Sequence, residues 1–369
     1  MKKLKIALIG LIARPTSPRT PGGTEIFNYN LFTELTKRSY DITLFASKES
    51  EVDGKLFPII DKALTNNSDI SENSRRGTIS EFCAYAKAFE YISKHNFDII
   101  HHSHFNLLPI YMGYKLNLKQ ICNIHIHPKN ALYIQCLEEL MGENLNKLNF
   151  VSVSKAQQKM NKKIQYCANI YHGIDTQQYK YNKANSEENY FLFIGRFTKQ
   201  KGIDLAIKSI LHLNKKLKII STIPELEKDF FRQHKKYLDQ KNIYFFENSQ
   251  INHHKKIQMY QNAKALLFPI TLDEPFGLVM IEAMACGTPV IAFDRGAISE
   301  VIKDGKTGFI VKDKEGLNGL TKAIKKIQNM PEPEYQKMRE NCRKHAEDNF
   351  SIQKMVDGYE KVYKRIAKK

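Results

Sequence analysis

Twice along its 369 residues the chain repeats one rhythm, a short apolar run followed by a longer amphipathic stretch. In the first half, Lys5–Ile12 is apolar and reads as a strand, and a loop rich in proline, arginine, threonine and glycine covers 13–23. Thr24 then opens a helix whose apolar side includes Ile26, Tyr29, Phe32 and Leu35. Further strands are expected at Ile42–Ala46, Phe97–His101, Gln120–His125 and Asn149–Val153, with helices over Thr78–His95 and after a Ser154 cap. The polar stretch Asp61–Gly77 reads as a mobile surface loop. The second half restarts with strands at Tyr190–Gly195, Leu217–Ile220, Ile243–Phe246 and Ala265–Pro269, and helices at Gly202–Leu213, Pro224–Leu238 and Lys255–Gln261. Such alternation in both halves predicts two parallel α/β domains, with ligands beyond the carboxyl ends of the strands. Ile352, Met355, Val356, Tyr359, Val362, Tyr363 and Ile366 recur at helical spacing and predict a packed terminal helix.

The most apolar stretch lies at 274–293. Asp273, Glu274 and Pro275 signal a helix start, Phe276–Cys286 reads as a helix apolar nearly all round, Gly287 as its C-cap and Thr288–Phe293 as a buried strand. A helix of that kind is buried, so Glu274 and Glu282 inside it need partners. If both were helical they would stand roughly 12 Å apart, more than the ~5–9.5 Å between the carboxyl groups of a glycosidase pair. That spacing suits a ligand with two hydroxyl-rich ends and an anion between them, the anion held by the free N–H groups of the helix start. The plainer alternative is a buried helix whose glutamates are a cap and a salt-bridge partner.

Three other places carry candidate chemistry. In Gly195-Arg196-Phe-Thr-Lys-Gln-Lys201-Gly202, Lys201 sits at an expected helix start, where the helix dipole disfavours a cation. A nearby anion would offset that misfit, and Arg196 at a strand end could reach the same spot. Gly22-Gly23, between the first strand and the first helix, forms a strand–loop–helix anion site or a plain turn. The G-x-G-x-x-G fingerprint of nicotinamide enzymes is absent. His125 and His127 close a strand and, by alternation, share a face. They read as cleft residues, core residues or a zinc pair, and zinc is set aside because no cysteine or carboxylate cluster supports it. His101, His102 and His104 cluster near another strand end without an assigned role.

With these residues in place, the stretch from Glu274 to Glu282 resembles the E-x7-E signature of retaining GT-B glycosyltransferases, glycosyltransferase family 4 (glycosyl transferases group 1). The resemblance extends over nearly the whole chain, strongest over 190–311 and weakest over 50–95. It implies two Rossmann-like domains facing a cleft: an acceptor-binding domain at 1–172, joined by a terminal helix at about 352–369 that crosses back to it, and a donor-binding domain at 173–351. It implies transfer of a hexosyl unit from a nucleotide sugar to a glycan, lipid or small-molecule acceptor with retention at the anomeric carbon. Glu274, His125, Arg196 and Lys201 would be the catalytic group. Gly22, Gly23, Phe276, Gly277, Leu278 and Glu282 would join Arg196, Lys201 and Glu274 in donor binding. In that family the Arg–Lys pair holds the donor diphosphate, the first glutamate the transferred sugar and the second the ribose. His125 fits the family's strand-end T-x-H, with Asn123 in place of threonine. His172-Gly-Ile-Asp175 resembles an N-G-V/I-D string at the hinge, with histidine in place of asparagine. Where the family usually has a glycine near the donor base, the chain reads Glu247–His254, so the base is left open. Alternatives of the same fold are a nucleotide-sugar epimerase or a sugar phosphorylase; from another class, a non-catalytic nucleotide-sugar or polyanion-binding protein.

Bulk properties narrow this only slightly. A hydrophobic fraction of 42% is that of a globular chain, and no apolar run has the length of a membrane span. Ile6–Ala13 after Lys2, Lys3 and Lys5 reads as a first strand rather than a signal peptide, since Gly10 interrupts it and Arg14-Pro15 follows. The six cysteines form no C-x-x-C and read as reduced thiols of a cytoplasmic protein. There is no Asp-x-Asp, so no metal and no cofactor beyond the donor is expected, lysine, arginine and a helix start supplying the electrostatics. The net charge of +18 is spread over both halves without an arginine-rich stripe. It points to an anionic membrane surface, at the inner face, or to phosphorylated ligands, and away from specific nucleic-acid binding.

Overall fold

The computed structural model describes residues 3–20, 22–66, 75–104, 106–125, 131–183 and 189–368. The chain divides into two compact units, one of Met1–Gly173 with Ile352–Lys369 and one of Ile174–Ser351.

The first unit holds a seven-stranded sheet in the order β3-β2-β1-β4-β5-β6-β7, where β1 is Lys5–Ile9, β2 Asp41–Ser47, β3 Lys55–Ile60, β4 Ile99–His102, β5 Gln120–Ile124, β6 Asn149–Ser152 and β7 Tyr166–Asn169. Neighbouring strands are parallel throughout, as between β1 and β4. Its central strands are apolar on both faces because helices cover both. The Gly23–Lys37 helix buries Phe27, Asn28, Leu31, Phe32 and Leu35. Ile26 and Tyr29, expected on that face, are only half-buried. The last helix, Ile352–Lys368, belongs to this unit and buries Met355, Val356, Tyr359, Val362, Tyr363 and Ile366 in one cluster with Ile6, Leu8, Phe27 and Leu31. Truncating any one of these large side chains to alanine would cost about 2–5 kcal/mol.

The second unit holds a six-stranded parallel sheet in the order β10-β9-β8-β11-β12-β13, with β8 at Tyr190–Ile194, β9 at Lys216–Ser221, β10 at Ile243–Glu247, β11 at Ala263–Phe268, β12 at Val290–Phe293 and β13 at Gly308–Val311. The core lies between this sheet and helices such as Ile203–Leu213 and Gly316–Gln328, which bury Ile203, Ala206, Ile207 and Ile210, and Leu320, Ile324 and Ile327. The fold is the expected α/β class, with the terminal helix returned to the first sheet.

Several elements differ from expectation. The helix placed over Phe276–Cys286 spans only Leu278–Ala285, so Glu274 precedes it in an irregular segment. Gly277 in the left-handed region stops the helix from extending back. Gly287 ends it as foreseen, its N–H bonding Met284 O while the N–H of Thr288 bonds Ala283 O. Pro224–Leu238 is a short α-helix, Lys228–His234, between two 3-10 turns. The stretch 61–77 is not wholly loop: Leu64–Asn66 is a 3-10 turn and Arg75 begins a helix that runs to Lys94. Residues 67–74 of it lie outside the described residues.

Candidate functional site

At the carboxyl edge of the second sheet, β8 runs into Gly195-Arg196 and a turn at Lys199–Lys201. Thr198 caps that turn, its hydroxyl accepting from Lys201 N–H at 3.2 Å. Gly202 follows with φ +73, and a Cβ there would lie 1.8 Å from Pro269 O. Only glycine therefore lets this turn close onto the segment leaving β11. Thr271 N–H donates to Gln200 O at 2.9 Å and joins the same two segments.

This closure brings Lys201 to Glu274. Lys201 Nζ stands 2.7 Å from Glu274 Oε2, and the two side chains are only 19% and 13% exposed. The ammonium also lies 5.6 Å from the centre of the Phe268 ring. The anion that Lys201 calls for is thus supplied by the chain itself. Arg196 is exposed and its guanidinium makes no hydrogen bond or ion pair among the described residues. It is brought to the edge, yet not into the pair.

Glu274 is held by its backbone. Ala297 N–H donates to Glu274 O at 2.9 Å. Gly296, at φ +59, passes so close that a Cβ would stand 2.3 Å from that carbonyl oxygen. Gly296 is a site residue that pattern reading missed; the one available signal was a lone Arg295-Gly296 after a buried strand. Phe276 is buried and meets Phe350 edge-on at 5.7 Å, so its side chain packs. Gly277 and the half-buried Leu278 form the start of the Leu278–Ala285 helix, whose N-terminal turn faces the same carboxyl edge as Glu274.

Glu282 lies apart, inside that helix and buried. Lys256 Nζ is 2.6 Å from its Oε2, and Tyr260 donates to the same oxygen at 2.8 Å. Burial alone would raise its pKa, but Lys256 with the hydroxyls of Tyr260 and Tyr179 holds the carboxyl below the usual range. Lys256, Tyr260 and Tyr179 were not foreseen, because their spacing from Glu282 follows no local period. The two glutamates are not two points on one helix, so the roughly 12 Å helical spacing does not describe them.

In the first unit, Gly22 caps the Gly23–Lys37 helix in an extended conformation. A Cβ on Gly22 would lie 2.0 Å from Glu25 Oε2, so the buried Glu25 carboxylate folds back over the helix start that Gly22-Gly23 were expected to offer to an anion.

His125 follows β5 and is partly buried. Its ring stacks on His172 with centroids 5.0 Å apart, Nδ1 lies 3.4 Å from His172 Nε2, and Phe27 covers it at 4.6 Å. Burial and then the neighbouring His172 push its pKa well below the ordinary value. His172 itself is lowered to about 4 by burial. His127 lies outside the described residues. His101, His102 and His104 are core side chains, bonded to Tyr363, Gln120 and Tyr85 at 2.6, 2.6 and 2.8 Å. Burial lowers them to about 3, 4 and 3. Among the described residues no group of three or more His, Cys, Asp or Glu is placed to hold a metal, and no helix is long and apolar enough to cross a membrane.

Residues 175–347 match the family model described as glycosyl transferases group 1. An uncharacterised glycosyltransferase of Methanocaldococcus jannaschii is 27% identical over 198 residues, 54% of this chain and 53% of that protein. The chain thus spans about half the length of the curated relatives it matches. Sucrose-phosphate synthase from Thermosynechococcus elongatus superposes with a TM-score of 0.79 at 19% identity, over 99% of both chains. An Anabaena protein solved with UDP and glucose does so with a TM-score of 0.74 at 15% identity, over 97% of this chain and 99% of that one. At such identities the likeness is one of fold. Over residues 175–347 the second unit is thus similar to the group 1 glycosyl transferases, within a chain whose fold is GT-B.

Proposed function

We propose that the protein is a retaining glycosyltransferase of family 4 that moves a hexosyl unit from a nucleotide-diphosphate sugar to a glycan, lipid or small-molecule acceptor. The observation that carries this reading is the Lys201–Glu274 pair at the carboxyl edge of the second sheet, inside the matched domain. A cation and a carboxylate held together there are the two groups such a donor needs, one for its diphosphate and one for sugar hydroxyls. The donor exchanges partners with the pair: Lys201 and Arg196 take the diphosphate with the N-terminal turn of the Leu278–Ala285 helix, and Glu274 is released toward the sugar. Fixed charges in a partly dry site then stabilise the leaving diphosphate as the glycosidic bond to phosphate breaks, without a metal or other cofactor. Glu282 takes the ribose, and His125 is assigned to the transfer reaction by the family resemblance alone. A fold neighbour holding UDP and glucose supports the choice of donor class.

The protein is read as cytoplasmic and able to dock on an anionic membrane. The Arg75–Lys94 helix leaves Ile79 and Phe82 exposed at 55% and 57%, beside exposed Arg75 and Arg76. Purified protein given a nucleotide sugar and its acceptor should release free nucleoside diphosphate, and Lys201→Ala should lose most of that release. A phosphorylase would instead require added inorganic phosphate.

A further inference from the structure

A chain of buried side chains in the first unit runs from the last helix to His125. Tyr363 Oη stands 2.6 Å from His101 Nδ1, and His101 Nε2 stands 3.1 Å from Asn123 Oδ1. The Asn123 amide nitrogen donates to Tyr359 Oη at 2.6 Å and faces His125 Nε2 at 3.5 Å. Tyr359, Tyr363, His101 and Asn123 are each buried, at 1%, 0%, 0% and 0% exposed.

These contacts constrain one another. With its oxygen toward His101 and its nitrogen toward His125, the Asn123 amide leaves His125 Nε2 as an acceptor. The ring proton of neutral His125 then sits on Nδ1, facing Nε2 of His172. Turning the amide over would reverse every donor and acceptor along the row and move that proton to Nε2. The tyrosines stand at the two ends of this choice. Tyr359 receives the amide N–H directly, and Tyr363 donates to His101 Nδ1, which places the His101 proton on Nε2 against the Asn123 oxygen. Asn123 stands where the resembled family carries threonine, and a threonine has no amide to turn. The device therefore belongs to this chain's own residues.

We propose that Tyr359 and Tyr363 are positioning residues that hold Asn123 in one orientation, and through it hold His125 in a single neutral tautomer with Nε2 as an acceptor. The proposal rests on the reading that His125 serves the transfer reaction. Outer partners that fix a ring's tautomer are what keep a functional histidine in register.

The test removes one oxygen at a time, as Tyr359→Phe and Tyr363→Phe, in the full chain. Ring-nitrogen NMR of histidine-labelled protein reads the His125 tautomer, and steady-state kinetics read kcat and donor KM. In the unaltered protein His125 should show one tautomer. In each variant the two ring-nitrogen shifts should converge as the tautomers mix, with kcat down about three- to tenfold, as for one lost hydrogen bond, and donor KM within about twofold. A His125 spectrum that stays single-tautomer in both variants would overturn the proposal, as would unchanged kcat in both. A loss of kcat without any change of tautomer would count as simple loosening of the last helix, and so against it. His125→Ala separates the underlying reading: if it leaves turnover intact, His125 has no part in transfer, whereas the tautomer shift reports on the row of residues alone. If one variant fails to fold, the other still decides, since each tyrosine acts on a different end of the amide.

Discussion

Lys201 Nζ lies 2.7 Å from Glu274 Oε2 across 73 residues of sequence, so the cation and the carboxylate expected to meet the diphosphate and the sugar of one ligand are each other's partners. Breaking the pair on either side leaves a mostly buried charge, and on the proposed reading a diphosphate sugar replaces the contact. Lys201→Ala and Arg196→Ala should each remove most turnover and weaken nucleoside-diphosphate binding, measured by initial rates and by titration calorimetry. Full activity in either single variant would take the diphosphate clamp out of the account.

The two glutamates should part company in kinetics. On the proposed reading Glu274 meets sugar groups that gain charge in the transition state, while a ribose contact is the same before and during reaction. Glu274→Gln should therefore lower kcat, and Glu282→Gln should raise donor KM. Glu282→Gln should also destabilise the second unit by about 2 kcal/mol, because it strips the counter-charge from the partly buried Lys256. Equal loss of kcat in both variants with donor binding intact would contradict this division of labour.

Stability should fall in mild acid. His101, His102 and His104 are buried with folded pKa values of about 3, 4 and 3, against an unfolded value near 6.5. Between these limits the unfolded chain binds more protons, so stability is full above about pH 6.5 and drains as pH falls toward 4. Each histidine should contribute about 1.4 kcal/mol per pH unit in that window. Urea unfolding at pH 7.5 and 5.5 checks this; equal midpoints would mean that the histidines are not neutral core groups.

Much of the fold was legible because parallel strands covered on both faces read as apolar runs. The strings around Arg196–Gly202 and Glu274–Glu282 were legible because their spacing is local. Edge strand β3 was not: it is half-exposed and carries Lys55 and Pro58, which an edge tolerates and a central strand does not. The end of the helix at Leu278 was missed because acidic residues and a proline signal a start wherever they precede an apolar run. The left-handed Gly277 that decides the matter is a backbone property. Lys256 beside Glu282, Gly296 under Glu274 and the row from Tyr363 to His172 join residues distant in sequence, and no periodicity announces them. His127, the second candidate for the cleft, lies outside the described residues.

The basic surface gives a further prediction. The protein should sediment with vesicles rich in anionic lipid at low salt and release as salt rises, since exposed charge is screened. Replacing Ile79 and Phe82 by serine should weaken the adhesion that survives at moderate salt. Binding indifferent to lipid charge would contradict the docking reading.

The most direct measurement is a thermal-unfolding screen of nucleotide sugars, with free nucleotide followed in the same samples. A true donor at about 100 times its dissociation constant should add about 2.7 kcal/mol of stability, release nucleoside diphosphate on addition of acceptor without inorganic phosphate, and lose both effects in Lys201→Ala. No protection by any nucleotide sugar, or protection that Lys201→Ala leaves unchanged, would contradict a donor site built on the Lys201–Glu274 pair.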